Sequence, residues 1–167
     1  MPIPFHDVDD VDELGAAGFL KVEPLPGTGA VIGLFVVNAR GEPLEFAFNR
    51  LELTHPFLWT ERLARAHLER RLVTSVLSVC SHNPRLLLCL VSELDETLLG
   101  RDLRLEVPLA RITPPAHVSW QPTPPDKDSM ERRLFDRLSA GGLLVEPFER
   151  ASVGLREVYG NRGQDQG

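Results

Sequence analysis

Two turn signals in the first third of the chain limit the fold more than any other feature of the sequence. They are Pro26-Gly27-Thr28-Gly29 and Asn38-Ala39-Arg40-Gly41, and they enclose an apolar run at 30–37 that is rich in β-branched residues. Residues 44–48 then alternate between apolar and other side chains, which is the period of a β-strand. With a further extended segment at 19–25, this pattern predicts a three-stranded antiparallel meander. In its last strand, Glu45 and Ala47 are expected on the solvent side.

A long helix is predicted after the meander. His55-Pro56 marks its boundary, because a residue that precedes proline avoids the helical conformation. Residues 57–79 carry apolar side chains on one side in the first half and around most of the circumference in the second. We therefore expect this helix to lie across the sheet as the main core element, nearly engulfed towards its end.

The rest of the chain alternates between strand, proline-rich and helical patterns. An unbroken apolar run at 86–91 predicts a strand covered on both faces, and the alternation at 103–107 predicts an exposed edge strand. Prolines crowd residues 113–127, so we expect an extended wrap without secondary structure there. The capping pattern Asp128-Ser129-Met130-Glu131 opens a helix to about residue 139, and 146–159 suits a last helix.

These elements define an α+β fold with a meander, a central helix packed on the sheet, further strands and a C-terminal helical pair. Five segments are expected: an acidic N-terminal arm (1–13), an α+β core domain (14–112), a Pro-rich wrap (113–127), C-terminal helices (128–160) and a frayed tail (161–167). The acidic arm is read as a solvated segment, with pairing to a basic partner as the alternative.

Composition narrows the class of protein. The net charge of −6 gives no indication of nucleic acid as the main partner, because such binding relies on lysine and arginine. Binding of nucleic acid through a local basic patch is kept as an alternative. No apolar run approaches the ~20 residues that span a bilayer. The chain has only Cys80 and Cys89, and its first residues lack the charged and apolar parts of a signal peptide. We expect a cytoplasmic protein with no membrane partner.

The usual signatures of metal and cofactor sites are incomplete. Cys80 and His82 form one close pair, but zinc needs four converging ligands, and Cys89 lies within an apolar run where a cysteine behaves as a small hydrophobe. The glycines at 27–33 are followed by a strand, whereas a phosphate-binding loop leads into a helix. We expect no bound metal and no cofactor.

The order of elements resembles the beginning of the ribonuclease H-like fold over residues 19–93. Three antiparallel strands, a helix and a strand buried on both faces occur in that order. The turn residues carry the resemblance in three segments, Pro26-Gly27-Thr28-Gly29-Ala30, Gly33-Leu34-Phe35-Val36-Val37 and Arg40-Gly41-Glu42-Pro43-Leu44.

The resemblance implies a hydrolase that holds two divalent metal ions, Mg²⁺ or Mn²⁺, with carboxylates from the first strand, the first helix and the fourth strand. Glu61 and Glu93 match the helix and fourth-strand positions. The aspartate expected in the first strand falls on Phe19, and Glu23 is the acid in that strand. Glu23, Glu61 and Glu93 are therefore the catalytic candidates under this hypothesis, which requires them to converge.

Residues at the junction of sheet and helix suit an interface. Arg50, Phe57 and Trp59 are candidate binding residues, because aromatic side chains and arginine dominate interface hot spots, although closing one end of the core is their alternative role. We expect a non-catalytic interaction or accessory module of a bacterial cytosolic assembly, with a protein partner or self-association. A degenerate or divergent ribonuclease H-like hydrolase is the first alternative. A small-ligand sensor domain, which needs a cavity between helix and sheet, ranks below it because large core residues are plentiful.

Overall fold

The computed structural model describes residues 2–5, 9–95 and 105–160. Within these ranges the strands are β1 (Pro2–Pro4), β2 (Ala17–Pro24), β3 (Gly29–Val37), β4 (Pro43–Glu52), β5 (Leu86–Leu90), β6 (Leu109–Thr113) and β7 (His117–Gln121). The helices are α1 (Glu61–Val79), α2 (Met130–Ala140) and α3 (Glu146–Tyr159), and Pro56–Leu58 form a single 3-10 turn.

The strands form one mixed sheet with the order β1-β4-β3-β2-β5-β6-β7. Strands β2, β3 and β4 are antiparallel neighbours, so the predicted meander and the α+β class are confirmed. The loop between β3 and β4 turns at Gly41, whose φ of 77° suits a residue without a Cβ. Strand β5 then joins β2 in parallel, and β6 joins β5 in parallel. Strand β5 is thus an inner strand, and Cys89 within it is fully buried, as its apolar run predicted.

Helix α1 ends at Val79 as predicted, but it begins later than expected and its last turn is less buried. It begins at Glu61, because Pro56 starts a 3-10 turn and the Thr60 side chain then caps the helix by accepting a hydrogen bond from the Leu63 amide. Its second half buries Leu72, Val73 and Val76. Val79, however, is 44% exposed, so the expectation of a nearly engulfed helix end is wrong.

Three segments differ from the predicted secondary structure. Residues His117–Gln121 of the expected wrap form strand β7, which pairs with β6. Pro2–Pro4 of the acidic arm pair with β4, and Val11 of the same arm is buried. Residues 105–107 are not in a strand, while 103–104, like the tail at 161–167, lie outside the described residues.

Helices α2 and α3 pack on one face of the sheet. The ring of Phe148 on α3 meets Phe19 of β2 edge to face, at 5.1 Å between centroids. Phe46 of β4 lies between two glycines, because a Cβ on either Gly33 of β3 or Gly154 of α3 would come within 3.0 Å of its ring. Aromatic packing and close backbone approach thus seal this face.

Helix α1 packs on the other face, over β3 and β4. The expectation that Glu45 faces solvent is wrong, because its side chain is 0% exposed beneath the end of α1, and Ala47 is buried beside it. The Glu45 carboxylate accepts hydrogen bonds from the Ser81 and His82 amides and from the Ser81 hydroxyl, and its Oε1 lies 2.6 Å from His82 Nδ1. Burial raises the pKa of Glu45, but these hydrogen bonds outweigh it and leave the pKa below its ordinary value.

Candidate functional site

A cavity of about 700 Å³ opens where the first half of α1 passes over the end of β2. We call it the α1 pocket. Its walls are the end of β2 and the following turn, the start of β3, the segment that leads into α1, one side of α1 and the turn after β5. It is lined by Lys21, Val22, Glu23, Pro24, Leu25, Gly27, Thr28, Gly29, Ala30, Leu53, Pro56, Trp59, Glu61, Ala64, Arg65, Leu68, Glu69, Leu72, Ser92 and Glu93.

The pocket exists because β2 extends beyond the end of β5, its parallel neighbour. Strand β5 pairs with β2 only between Ala17 and Leu20 and ends at Leu90, whereas β2 continues to Pro24. Beyond Leu20 the Glu93 side chain replaces β5 as the hydrogen-bond partner of β2, since its Oε1 accepts a hydrogen bond from the Val22 amide at 3.1 Å. The cavity therefore lies at the carboxyl ends of two parallel strands, where open sheets with parallel strands commonly bind ligands.

Lys21 organises the charges at the β2 side of the pocket. Its ammonium group donates a hydrogen bond to Glu93 in a close ion pair, and Glu23 lies 4.0 Å from the same nitrogen. Glu23 also accepts a hydrogen bond from the hydroxyl of Ser152 on α3. One cation is thus shared by two carboxylates, and α3 helps to hold one of them.

A second ion pair lies on the α1 side. Arg65 Nε is 2.8 Å from Glu69 Oε1, and Glu69 is buried although it belongs to the pocket wall. Its other oxygen accepts a hydrogen bond from the Asp95 amide at 3.3 Å, which links α1 to the turn after β5. The hydrogen bond and charge of Glu69 raise the pKa of the Arg65 guanidinium.

The remaining polar features lie near the pocket mouth. The indole of Trp59 stacks at a tilt on His67, with 4.7 Å between ring centroids. Desolvation, with Arg71 and Arg70 nearby, lowers the pKa of the His67 imidazole. Glu61 is exposed in the first turn of α1 and makes no hydrogen bond or ion pair with any residue that the structure describes.

The structure brings Glu23, Glu61 and Glu93 to the lining of one pocket. Two of them are engaged by Lys21, and no group of three or more histidine, cysteine, aspartate or glutamate side chains in the described ranges is arranged to hold a metal ion. Phe19, where the resemblance expects an aspartate, is fully buried against Phe148.

The other candidate residues lie apart. Arg50 pairs with Glu52, Phe57 is 79% exposed, and Trp59 is half-buried in the pocket wall. Both cysteines are free thiols, and desolvation raises the pKa of Cys80 to about 11 and that of Cys89 to about 12, so neither is a ready nucleophile.

Sequence reasoning missed the pocket residues Lys21, Arg65 and Glu69. Lys21 carried a signal, because it is one of only two lysines in the chain and stands in a strand whose other residues, apart from Glu23, are apolar. Arg65 and Glu69 carried a weaker one, the spacing of four residues that pairs opposite charges on a helix.

No protein-family model matches this sequence, and a search of curated proteins finds no match. None of the helices in the described part of the chain combines the length and the apolar composition needed to cross a membrane.

Proposed function

We propose that this protein is a non-catalytic accessory module that binds a small, mostly apolar molecule in the α1 pocket. The observation that carries the proposal is the cavity itself. Its volume of about 700 Å³ lies in the range of roughly 300–1,000 Å³ that is typical of small-molecule sites. A cytoplasmic location is part of the proposal and is supported by the free thiols of Cys80 and Cys89.

The walls of the pocket support an apolar occupant. Aliphatic side chains from both the sheet and the helix reach it, and they come from Val22, Leu25, Ala30, Leu53, Ala64, Leu68 and Leu72. Polar side chains are fewer. Such a lining binds through the burial of apolar surface, worth about 25 cal/mol per Å², while the polar groups orient the ligand.

The state of the charged groups supports binding without catalysis. A general base or a nucleophile needs a group that is free to accept a proton or attack a substrate. In the pocket, Glu93 and Glu69 are held by Lys21 and Arg65 and also accept backbone hydrogen bonds. These contacts fix the walls of the site.

The proposal is tested with N-phenyl-1-naphthylamine, a neutral apolar dye that fluoresces when it leaves water. We expect saturable fluorescence with the purified protein and its loss in Ala64→Leu, which fills the pocket from α1. Ala140→Leu, at an exposed position at the end of α2, is the matched control and should bind as wild type. Absence of binding to wild type, or equal binding to the Ala64→Leu variant, would disprove the proposal.

A metal-dependent hydrolase of the ribonuclease H-like type is kept as an alternative, because three glutamates line one pocket. Calorimetric titration with Mg²⁺ and Mn²⁺ separates the two functions. A binding module gives no saturable heat with either wild type or Glu61→Gln. Saturable binding that disappears in Glu61→Gln would favour the hydrolase.

Docking to a protein is the second candidate function, favoured by the 3-10 turn beside the pocket. Phe57 is 79% and Leu58 73% exposed, while Pro56 of the same turn lines the pocket. An apolar projection next to an apolar cavity is self-complementary under a two-fold axis, so we propose a second copy of this chain as the partner. Light scattering should then show a dimer that Phe57→Ser weakens and Val153→Ser, a change at an exposed apolar residue of α3, does not.

A further inference from the structure

We infer that the molecule bound in the α1 pocket is a cationic amphiphile, with an apolar chain and a positively charged amine at one end. This inference rests on the proposed function and specifies its ligand class. The apolar walls accept the chain, as argued above. The charges around the pocket decide which end group completes the ligand.

The charged residues of the lining are not balanced. Four glutamates and two basic residues line the pocket, which leaves an excess of two negative charges. Arg65 is used by Glu69, and Lys21 serves both Glu23 and Glu93. A cationic ligand reduces this excess, whereas an anionic ligand adds to it in a site partly removed from water.

Glu61 is the carboxylate best placed to meet the amine. It is exposed in the pocket lining, and within the described ranges its interaction with Arg65 is through charge, without an ion pair or hydrogen bond, so an incoming amine can contact it directly. The N-terminus of α1 carries a partial positive charge of about one half, which would attract an anion in other surroundings. Here the full charge of Glu61 stands in that first turn and outweighs it.

Trp59 adds a second attraction for a cation. An aromatic ring face attracts a positive charge through its quadrupole, and this attraction grows when the cation leaves water. Desolvation and the charges of Arg71 and Arg70 lower the pKa of the neighbouring His67, and those two charges oppose this attraction, so the main partner of the amine is Glu61. A bare metal ion finds no such complement, since hard cations need several oxygen ligands rather than apolar and aromatic walls.

The inference is tested by displacing N-phenyl-1-naphthylamine with three probes of equal chain length: hexylamine, hexan-1-ol and hexanoate. At pH 7 the amine should displace the dye about 10-fold more tightly than the alcohol, and hexanoate should be weakest, because an ion pair and a cation–π contact each contribute modestly. Glu61→Gln should reduce the preference for the amine to the smaller part that Trp59 and the remaining charges supply, and it should leave the alcohol unchanged. Glu157→Gln, at an exposed position near the end of α3, is the control.

The outcomes separate the ligand class from the proposed function. Equal displacement by all three probes, or tightest displacement by hexanoate, would overturn the cationic ligand and leave the apolar pocket standing. An undiminished preference for the amine in Glu61→Gln would overturn the assignment of Glu61 as its partner. If the dye itself does not bind, the proposed function fails with it.

Discussion

The two faces of the sheet are covered by helices of opposite character. Helices α2 and α3 present continuous apolar sides to the sheet, and α3 alone buries Phe148, Ala151 and Leu155. In the first half of α1 the fully buried side chain is that of Glu69, while Leu63 is 59% exposed. Polar and charged residues occur all around α1, so it cannot seal the sheet beneath it. The comparison shows that the pocket is left open by the covering helix, since the sheet carries buried apolar side chains on both faces.

Leucine truncation on the two faces gives the largest contrast. Leu155→Ala on α3 removes a fully buried side chain and should lower the free energy of unfolding by about 2–5 kcal/mol. Leu68→Ala on α1 removes a half-buried side chain that borders an existing cavity, so we expect a loss of only about 1 kcal/mol. Urea unfolding of both variants measures the difference, and equal losses would contradict the contrast between the faces.

Glu45 is the exception on the α1 face, because there a polar group provides the stability. Glu45→Gln keeps one accepting oxygen and replaces the other with an NH2 group, so a donor faces a backbone amide and the negative charge is lost, and it should lower the free energy of unfolding by about 2–3 kcal/mol. Glu157→Gln should change stability by less than about 0.5 kcal/mol.

The pH dependence of this contribution follows from the direction of the pKa shift. The folded-state pKa of Glu45 is lowered below 4.5, so its stabilisation is complete above that pH and is lost as the pH falls through the folded-state pKa. Chemical unfolding measured from pH 6 down to pH 3 should show a steeper loss of stability for wild type than for Glu45→Gln. Parallel curves would mean that Glu45 does not contribute in this way.

The close approach on the α3 face can be tested by adding one methyl group. Gly154→Ala gains about 1 kcal/mol of helix propensity, but its Cβ would lie 2.9 Å from the Phe46 ring. Overpacking of this kind costs about 1–3 kcal/mol, so we expect a net loss near 1 kcal/mol in thermal unfolding. Val153→Ala, next to it on the exposed side, should stay within about 0.5 kcal/mol.

The smallest effect is expected where extra atoms meet the pocket. Ala64→Leu adds three carbons to α1 but directs them into open space, so the free energy of unfolding should change by less than about 0.5 kcal/mol. Thermal unfolding of Ala64→Leu beside Gly154→Ala compares the two faces directly. A loss above about 1 kcal/mol for Ala64→Leu would show that the pocket collapses in solution.

Local patterns predicted most of the fold correctly. The turns around 30–37 fixed the meander, and the boundaries of α3 agree with the predicted 146–159, because its apolar positions follow one helical face. Strand β7 was missed because the prolines at 122, 124 and 125 dominate the composition of its segment. Those prolines follow the strand and leave its pairing with β6 intact.

The pocket was the least predictable feature. The sequence argued against a cavity because large apolar residues are plentiful, but Phe57, Leu58 and Leu63 point away from the core. Composition counts side chains without recording their direction. Glu23, Glu61 and Glu93 were grouped through a family resemblance, and they share a pocket, but the Lys21 that links two of them becomes visible only when β2 and the turn after β5 are adjacent.

The hydrogen bonds to Glu45 fix the C-terminal end of α1. Its C-terminal end is tied to β4 by the hydrogen bonds that converge on one carboxylate, while its N-terminal end stands over the pocket. A helix of 19 residues is about 28 Å long, so each degree of rotation about the tied end moves the free end by about 0.5 Å. The hydrogen bond from the Asp95 amide to Glu69 holds the middle of the helix as well, so any tilt that widens the opening has to stretch that contact.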